Sequence, residues 1–304
     1  MRVAITGAAG FIGGHLSSDL AASHEVLGID NCRSGDWTRV PDAVTQLDLD
    51  ITAPDVEAWA DLLDGVDVLF HLAAEKYNSS RSTPQAVIDT NISATARLLQ
   101  GAARANVGQV VFTSSLYAYG ATGPGPMRET QPLTPTTYYG MSKAAGENLL
   151  RVAHRDHGLQ WACARLFFVY GPKQFADGGY KSVILSNFER LRRGEAPVIN
   201  GSGRQRLDYV YIADVVAALR RLADPSAAGT TVNISSGTAP SITELTALIQ
   251  QVAGTEAPPV HAPPDWTDDT VRLGDAALAR VSLGWRATTD FSRGLQDVWD
   301  WMNQ

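Results

Sequence analysis

The chain has 304 residues, of which 44% are hydrophobic and 19% charged. That balance excludes a disordered chain and supports a large buried core, which length alone would divide into roughly two domains. Acidic residues outnumber basic ones 32 to 25, a net charge of −7, and no run of like charges occurs, which argues against a nucleic-acid partner.

Short apolar runs alternate with helical patterns from the start. Residues 3–6 read as a strand, 11–21 as an amphipathic helix and 25–30 as a second strand. Residues 66–72 and 109–113 are continuous apolar runs that suit buried parallel strands. Between them Thr83-Pro84 opens a helix, with Thr83 as the expected N-cap and Pro84 at the first position. Its apolar spacing (Val87, Ile88, Ile92, Leu98, Leu99) runs to Ala103. A helix over 138–157 and a strand over 160–168 follow. This alternation predicts an α/β fold, a Rossmann-type doubly wound parallel sheet.

After Gly171-Pro172 the pattern loosens. A glycine-rich loop at 177–179, a helix ending near Arg193 and a polar turn at 201–206 come next. Ser241-Ile242-Thr243-Glu244 has capping-box form, 258–264 reads as a proline-rich loop, and 290–302 as a closing helix. The expected division is a dinucleotide-binding domain over 1–170 and a smaller substrate-binding lobe over 171–304, with some segments returning to the sheet. Two cysteines, Cys32 and Cys163, are too few for a disulfide framework or a zinc site, so no metal is expected. The first residues read as a strand rather than a signal peptide, and no apolar run reaches the roughly 20 residues of a membrane span. A cytoplasmic protein without a membrane partner is the expectation.

Two places carry chemistry. Thr6-Gly7-Ala8-Ala9-Gly10-Phe11-Ile12-Gly13 sets three glycines between the first strand and the first helix, where a pyrophosphate can rest on the helix N-terminus. The second strand ends in Asp30, whose carboxylate suits both hydroxyls of an adenosine ribose and opposes a 2′-phosphate, so NAD is favoured over NADP. Arg33 is the nearby arginine that a phosphate would use. Farther along, Tyr139-Gly140-Met141-Ser142-Lys143 puts a phenol and an ammonium on one helix face. A phenol with a pKa of about 10 is a poor base at neutral pH, and a cation one turn away, helped by the positive nicotinamide ring of the cofactor, favours its ionised form. Ser115, just beyond the apolar strand 109–113, can reach the same substrate oxygen.

On these residues the chain resembles the extended short-chain dehydrogenase/reductase family, in the nucleotide-sugar branch typified by UDP-galactose 4-epimerase. Further matches are Asp30-Asn31, Asp48-Leu49, His71-Leu72-Ala73-Ala74-Glu75-Lys76, Asn91, Ser114-Ser115-Leu116-Tyr117-Ala118-Tyr119-Gly120, and the stretches 165–172, 201–214, 233–237 and 283–285. The resemblance implies Ser115, Tyr139 and Lys143 as catalytic residues. It implies NAD held by Gly7, Gly10, Phe11, Ile12, Gly13, Asp30, Asn31, Cys32, Ser34, Gly35, Asp48, Leu49, Leu72, Ala73, Ala74, Lys76, Asn91, Thr113 and Phe167, besides Tyr139 and Lys143. Phe167 would lie near the nicotinamide. Asn91 and Phe167 read equally as ordinary helix and core residues, and His71 as a satisfied strand-end histidine.

The resemblance also bears on the reaction. Dehydratases and decarboxylases of the family carry an acid two residues before the tyrosine of the strand-end motif, and here Leu116 and Tyr117 stand in that region. Elimination then lacks its general acid. The leading reading is a 4-epimerase acting on a nucleotide-diphosphate sugar, UDP-linked by preference. A 4-ketoreductase, a dehydratase or decarboxylase, and a non-catalytic NAD-sensing protein are the alternatives. Substrate contacts are expected from Ser115, Tyr139, Phe168, Val183, Arg204, Arg206 and Arg272. Phe168 stands where the family commonly has a phosphate-binding asparagine, and Leu207 where an arginine is usual, so either Arg204, Arg206 or Arg272 supplies the phosphate contact or the substrate is not a standard UDP-hexose. The family's homodimer, joined by the helices near 84–105 and 138–157 in a four-helix interface, is expected as well.

Overall fold

The computed structural model describes every residue except 121, 122, 124, 175–181 and 266. The glycine-rich loop at 177–179 therefore lies outside the described residues. Strand β1 (Arg2–Thr6) leads into α1 (Phe11–Leu20), followed by β2 (Glu25–Asp30), β3 (Thr45–Asp48), α2 (Val56–Leu62) and β4 (Val68–His71). Then come α3 (Ser79–Ser82), α4 (Pro84–Ile88), α5 (Thr95–Arg104), β5 (Gln109–Ser115), α6 (Tyr138–His157) and β6 (Trp161–Leu166). The remainder is β7 (Phe168–Tyr170), α7 (Val183–Arg192), β8 (Val198–Asn200), β9 (Arg206–Leu207), β10 (Tyr209–Tyr211), α8 (Ile212–Leu222), β11 (Thr230–Ile234), α9 (Ile242–Ala253), β12 (Val260–Ala262), β13 (Val271–Arg272), α10 (Ala277–Leu283) and α11 (Phe291–Met302).

Seven parallel strands form one sheet in the order β11-β6-β5-β4-β1-β2-β3. The winding reverses at β1, between β2 and β4, so a crevice opens beyond the carboxyl ends of these strands, where doubly wound folds bind nucleotides. Both faces are covered. Leu16, Val215, Leu219 and Trp285 pack on one side. Trp59, Leu98, Leu99 and Leu150 pack on the other. All seven residues of β5 are buried, the polar Gln109, Thr113, Ser114 and Ser115 with the apolar Val110, Val111 and Phe112. A third cluster, with Phe188, Leu245, Ile249, Leu295 and Val298, joins α7, α9 and α11 into a smaller lobe. No described helix is long and apolar enough to cross a membrane.

Four local expectations change. The strand over 160–168 is two strands: the Phe167 amide donates to Ile234 in β11 (3.2 Å), whereas the Phe168 amide donates to Asp208 (3.0 Å). The chain leaves one sheet there and pairs β7 with β10 in another. The helix opened by Pro84 is interrupted by a π-helical segment over 89–94. Thr83 makes no capping hydrogen bond; its hydroxyl turns back to the Ser79 carbonyl, at the start of α3. Within the stretch read as a loop, Val260, His261 and Ala262 keep free amides between prolines and pair as β12 with β8. The capping box at Ser241 and Glu244 forms with both of its hydrogen bonds, 3.1 and 2.7 Å.

Candidate active site

The cradle begins where β1 ends. Gly7 has φ +77°, and a Cβ there would lie 2.8 Å from the Ala73 amide nitrogen. A Cβ on Gly13 would lie 1.9 Å from the Gly7 carbonyl oxygen. Only glycine lets α1 approach the turn this closely. Gly10 caps α1 without a side-chain hydrogen bond, which leaves the first-turn amides of Phe11 and Ile12 facing the crevice as an anion site. Asp30 accepts from the Ala9 amide (3.0 Å) and the Cys32 amide (2.8 Å), so its carboxylate is held at the rim. Burial raises its pKa, and those two amides pull the other way.

The loop after β2 (Asn31, Cys32, Ser34, Gly35) closes down on the glycine turn. The Asp36 amide reaches the Ala9 carbonyl at 2.9 Å, and Asn31 donates to Asp50 at 2.8 Å. Arg33 is drawn instead to Glu75 across the rim. Asp48 accepts from the Trp37 indole at 2.7 Å, and the Leu49 amide donates to the Asp30 carbonyl at 3.0 Å. The opposite wall is the loop Leu72, Ala73, Ala74, Glu75 and Lys76. Its Leu72 and Ala73 amides bond to Thr6, and burial lowers the pKa of Lys76.

Asn91, inside the π segment, is 3% exposed and holds this wall. Its amide accepts from the Glu75 amide (2.7 Å) and donates to the Glu75 carbonyl and the Ser142 hydroxyl, both at 3.0 Å. Ser142 donates in turn to the Tyr139 carbonyl at 2.8 Å. Asn91 thus ties this loop to α6, and π turns are frequent at functional sites. His71 is buried between the hydroxyls of Thr6 (2.7 Å) and Thr95 (2.9 Å). Burial pushes its pKa down to about 3, so it is a neutral structural link.

The expected catalytic residues Ser115, Tyr139 and Lys143 meet where β5 ends against α6. Thr137 caps α6, donor amide at Gly140 (3.1 Å), so Tyr139 sits in the first turn. Lys143 follows one turn later, 4% exposed, and donates to the Thr113 carbonyl at 2.9 Å. Its ammonium lies 5.7 Å from the centre of the Tyr139 ring. Burial pushes Tyr139 up to about 12, with the Ser115 hydroxyl pulling the other way, and pushes Lys143 down to about 8. In the protein alone desolvation dominates the phenol; the phenolate is expected from the ammonium acting together with the positive nicotinamide ring of NAD. Tyr117 completes the wall, its ring stacked on Tyr77 (4.7 Å) and edge-on to Tyr139 (5.8 Å).

A family model described as the NAD dependent epimerase/dehydratase family matches residues 3–235. The chain belongs to this family. It is an enzyme of the extended short-chain dehydrogenase/reductase type, and NAD is its cofactor; the uncapped α1 amides, the glycine approach and Asp30 fit that dinucleotide. The UDP-glucose 4-epimerase of Mycolicibacterium smegmatis is 32% identical, over 97% of this chain and 96% of its own. The structure of UDP-glucose 4-epimerase from Thermotoga maritima with UDP-glucose superposes with a TM-score of 0.93 at 30% identity, covering 100% of this chain and 99% of that one. UDP-glucuronic acid decarboxylase 6 of Arabidopsis thaliana is 30% identical over 97% of this chain and 87% of its own. Relatives in the family thus carry out more than one reaction.

On the substrate side of this epimerase-family site, the three candidate arginines part ways. Arg204 is paired with Asp269 (3.0 Å) and Arg206 with Glu244 (3.3 Å), both exposed. Arg272, on β13, lies over the Tyr117 ring with its guanidinium carbon 5.5 Å from the centre. It is the member of the three that the fold brings onto Tyr117, whose ring is edge-on to Tyr139. Phe168 packs on Tyr209 with ring centres 5.7 Å apart, and Val183 starts α7 at the edge of the lobe. Phe167 is buried at 4% beside Gly274, between the sheet and the lobe. Sequence reading missed Tyr77 and the aromatic role of Tyr117, because no spacing signals a stack between two loops.

Proposed function

We propose that the protein is an NAD-dependent 4-epimerase of a nucleotide-diphosphate sugar, with a UDP-hexose as substrate. The observation that carries this reading is the ground beside Tyr139: Leu116 is buried at 1%, and Tyr117 is locked between Tyr77, Tyr139 and Arg272. A dehydratase or decarboxylase needs an acid there, and an aromatic wall offers none. Tyr139 would take the proton from the C4 hydroxyl and return it, Ser115 would orient that oxygen, and Lys143 would hold the ammonium charge below the phenol. NAD supplies reversible hydride acceptance at C4, so the cycle is redox-neutral overall. The relatives that share this chain's full length and act on UDP-glucose support the UDP-sugar.

The first 170 residues would carry NAD and the chemistry, and residues 171–304 would hold most of the substrate. A homodimer through α5 and α6 is part of the proposal. Tyr138, Met141 and Val152 stand 46%, 40% and 43% exposed along α6, an apolar stripe suited to a two-fold partner. A cytoplasmic setting is proposed with it.

The test is incubation of the purified protein with UDP-, dTDP-, CDP- and GDP-sugars and a trace of NAD, followed by proton NMR. A C4 epimer that accumulates to an equilibrium mixture without net NADH absorbance supports the epimerase. Reduction of a 4-keto sugar by NADH, with no epimer formed, overturns it in favour of a ketoreductase.

A further inference from the structure

An ion pair spans the two walls of the nucleotide crevice. Arg33, in the loop after β2, pairs with Glu75, in the loop after β4, and β2 and β4 flank β1 on opposite sides. The partners are unequal. The Arg33 side chain is 65% exposed, whereas that of Glu75 is 17% exposed. Glu75 is also fixed by contacts of its own. Asn91 holds its amide (2.7 Å) and its carbonyl (3.0 Å), and the Ser79 hydroxyl donates to its Oε2 at 2.8 Å. Its Oε1 is left for the guanidinium. A surface ion pair usually contributes little, because two long side chains must be ordered to form it. Here one partner is ordered already, so only Arg33 gives up freedom.

The place of Arg33 in the chain gives this pair its meaning. The Asn31 side chain accepts from the Arg33 amide at 3.1 Å, which fixes the root of the arginine three residues past Asp30. Asp30 suits the hydroxyls of an adenosine ribose, and an arginine near such a carboxylate is the usual means of accommodating a 2′-phosphate. Its planar fork matches two phosphate oxygens at once. The rim thus carries one group that rejects a 2′-phosphate and one that would accept it. Two neighbouring carboxylates are engaged within their own wall: Asp50 accepts from Asn31 at 2.8 Å, and Asp48 from the Trp37 indole at 2.7 Å. Glu75, on the opposite wall, takes the arginine.

We infer that Glu75 is a specificity residue for the cofactor and acts through Arg33, holding the guanidinium across the crevice and away from the adenosine 2′ position. Asp30 repels the extra phosphate, and Glu75 withholds the cation that would offset this repulsion. The inference concerns the dinucleotide alone, so it stands or falls apart from the sugar and the reaction.

The experiment is displacement of NADH from the purified protein by NAD or by NADP, followed through the fluorescence of bound NADH and with no sugar present. The two competitors share a pyrophosphate, so the ratio of their affinities isolates the 2′-phosphate. Wild type is compared with Glu75→Gln and with the double variant Glu75→Gln, Arg33→Ala. The glutamine keeps an acceptor for Ser79 and removes the charge that holds Arg33. The preference for NAD over NADP should then narrow about tenfold or more, the size of one hydrogen bond to a charged group. Adding Arg33→Ala should restore most of the preference, since no guanidinium is then released. Should the glutamine variant fail to fold, judged by circular dichroism, Glu75→Ala takes its place in both measurements. A preference unchanged by Glu75→Gln overturns the inference. A narrowing of the same size in the double variant also overturns it, because the lost carboxylate charge, and not the freed arginine, would then be the cause.

Discussion

The Lys143 ammonium donates to the Thr113 carbonyl at 2.9 Å, and this anchors the cation to the buried strand that ends in Ser115. Its folded pKa, about 8, lies below the ordinary lysine value of 10.5, because burial penalises the charged form. The sign follows: below pH 8 the folded protein carries the full cost of a buried ammonium, and that cost disappears as pH rises toward 10.5. Lys143→Met should therefore raise stability at pH 7 by about 1–3 kcal/mol while abolishing turnover. Urea unfolding of both proteins at pH 7 and pH 10 checks this; the gap should shrink at the higher pH.

Tyr139 should remain a neutral phenol through pH 9 in the protein without cofactor, since burial holds its pKa near 12. The positive nicotinamide ring would lower it when NAD binds. Ultraviolet difference titration of wild type against Tyr139→Phe, with and without NAD, should show one tyrosine whose ionisation moves to lower pH with the cofactor. The same substitution should reduce turnover by about 10²–10⁴-fold or more, the usual share of general acid–base catalysis, while NAD still binds.

Gly13→Ala places a methyl group 1.9 Å from the Gly7 carbonyl oxygen, backbone against backbone. No rotamer relieves that contact, so α1 must move off the turn that is proposed to cradle the pyrophosphate. NAD affinity, followed by protein fluorescence quenching, should fall at least about tenfold, which corresponds to 1.4 kcal/mol. Wild-type affinity in this variant would refute the role assigned to the cradle.

Glu147 and Arg165 form a two-bond pair at 2.9 and 2.7 Å, their side chains 0% and 3% exposed, and Ser114 adds a third bond to Glu147 at 2.6 Å. The pair pins α6, and with it Tyr139 and Lys143, to β5 and β6. Glu147→Ala strands a buried guanidinium and should cost about 3–5 kcal/mol. Combining Glu147→Leu with Arg165→Met should recover most of that loss, as measured by chemical unfolding.

Much of the site was legible because its signals are local. A glycine turn after a short strand, an aspartate at the end of the next strand and a Tyr-x-x-x-Lys pair each depend on neighbours within one or two turns of chain, where backbone geometry dictates which atoms share a face. The alternation of apolar runs with helical periods likewise announced the doubly wound sheet. Other features depend on residues far apart in the chain. That Arg272 rather than Arg206 lies over Tyr117 turned on β9 and β13, two-residue strands whose side-chain directions are set by distant partners. The change of sheet at Phe167 and the wall that Asn91 holds were likewise decided by contacts with Asp208 and Glu75. The same holds for charge: spacing places Lys143 beside Tyr139, but only the packed interior shows that loss of water raises the phenol in the protein without cofactor.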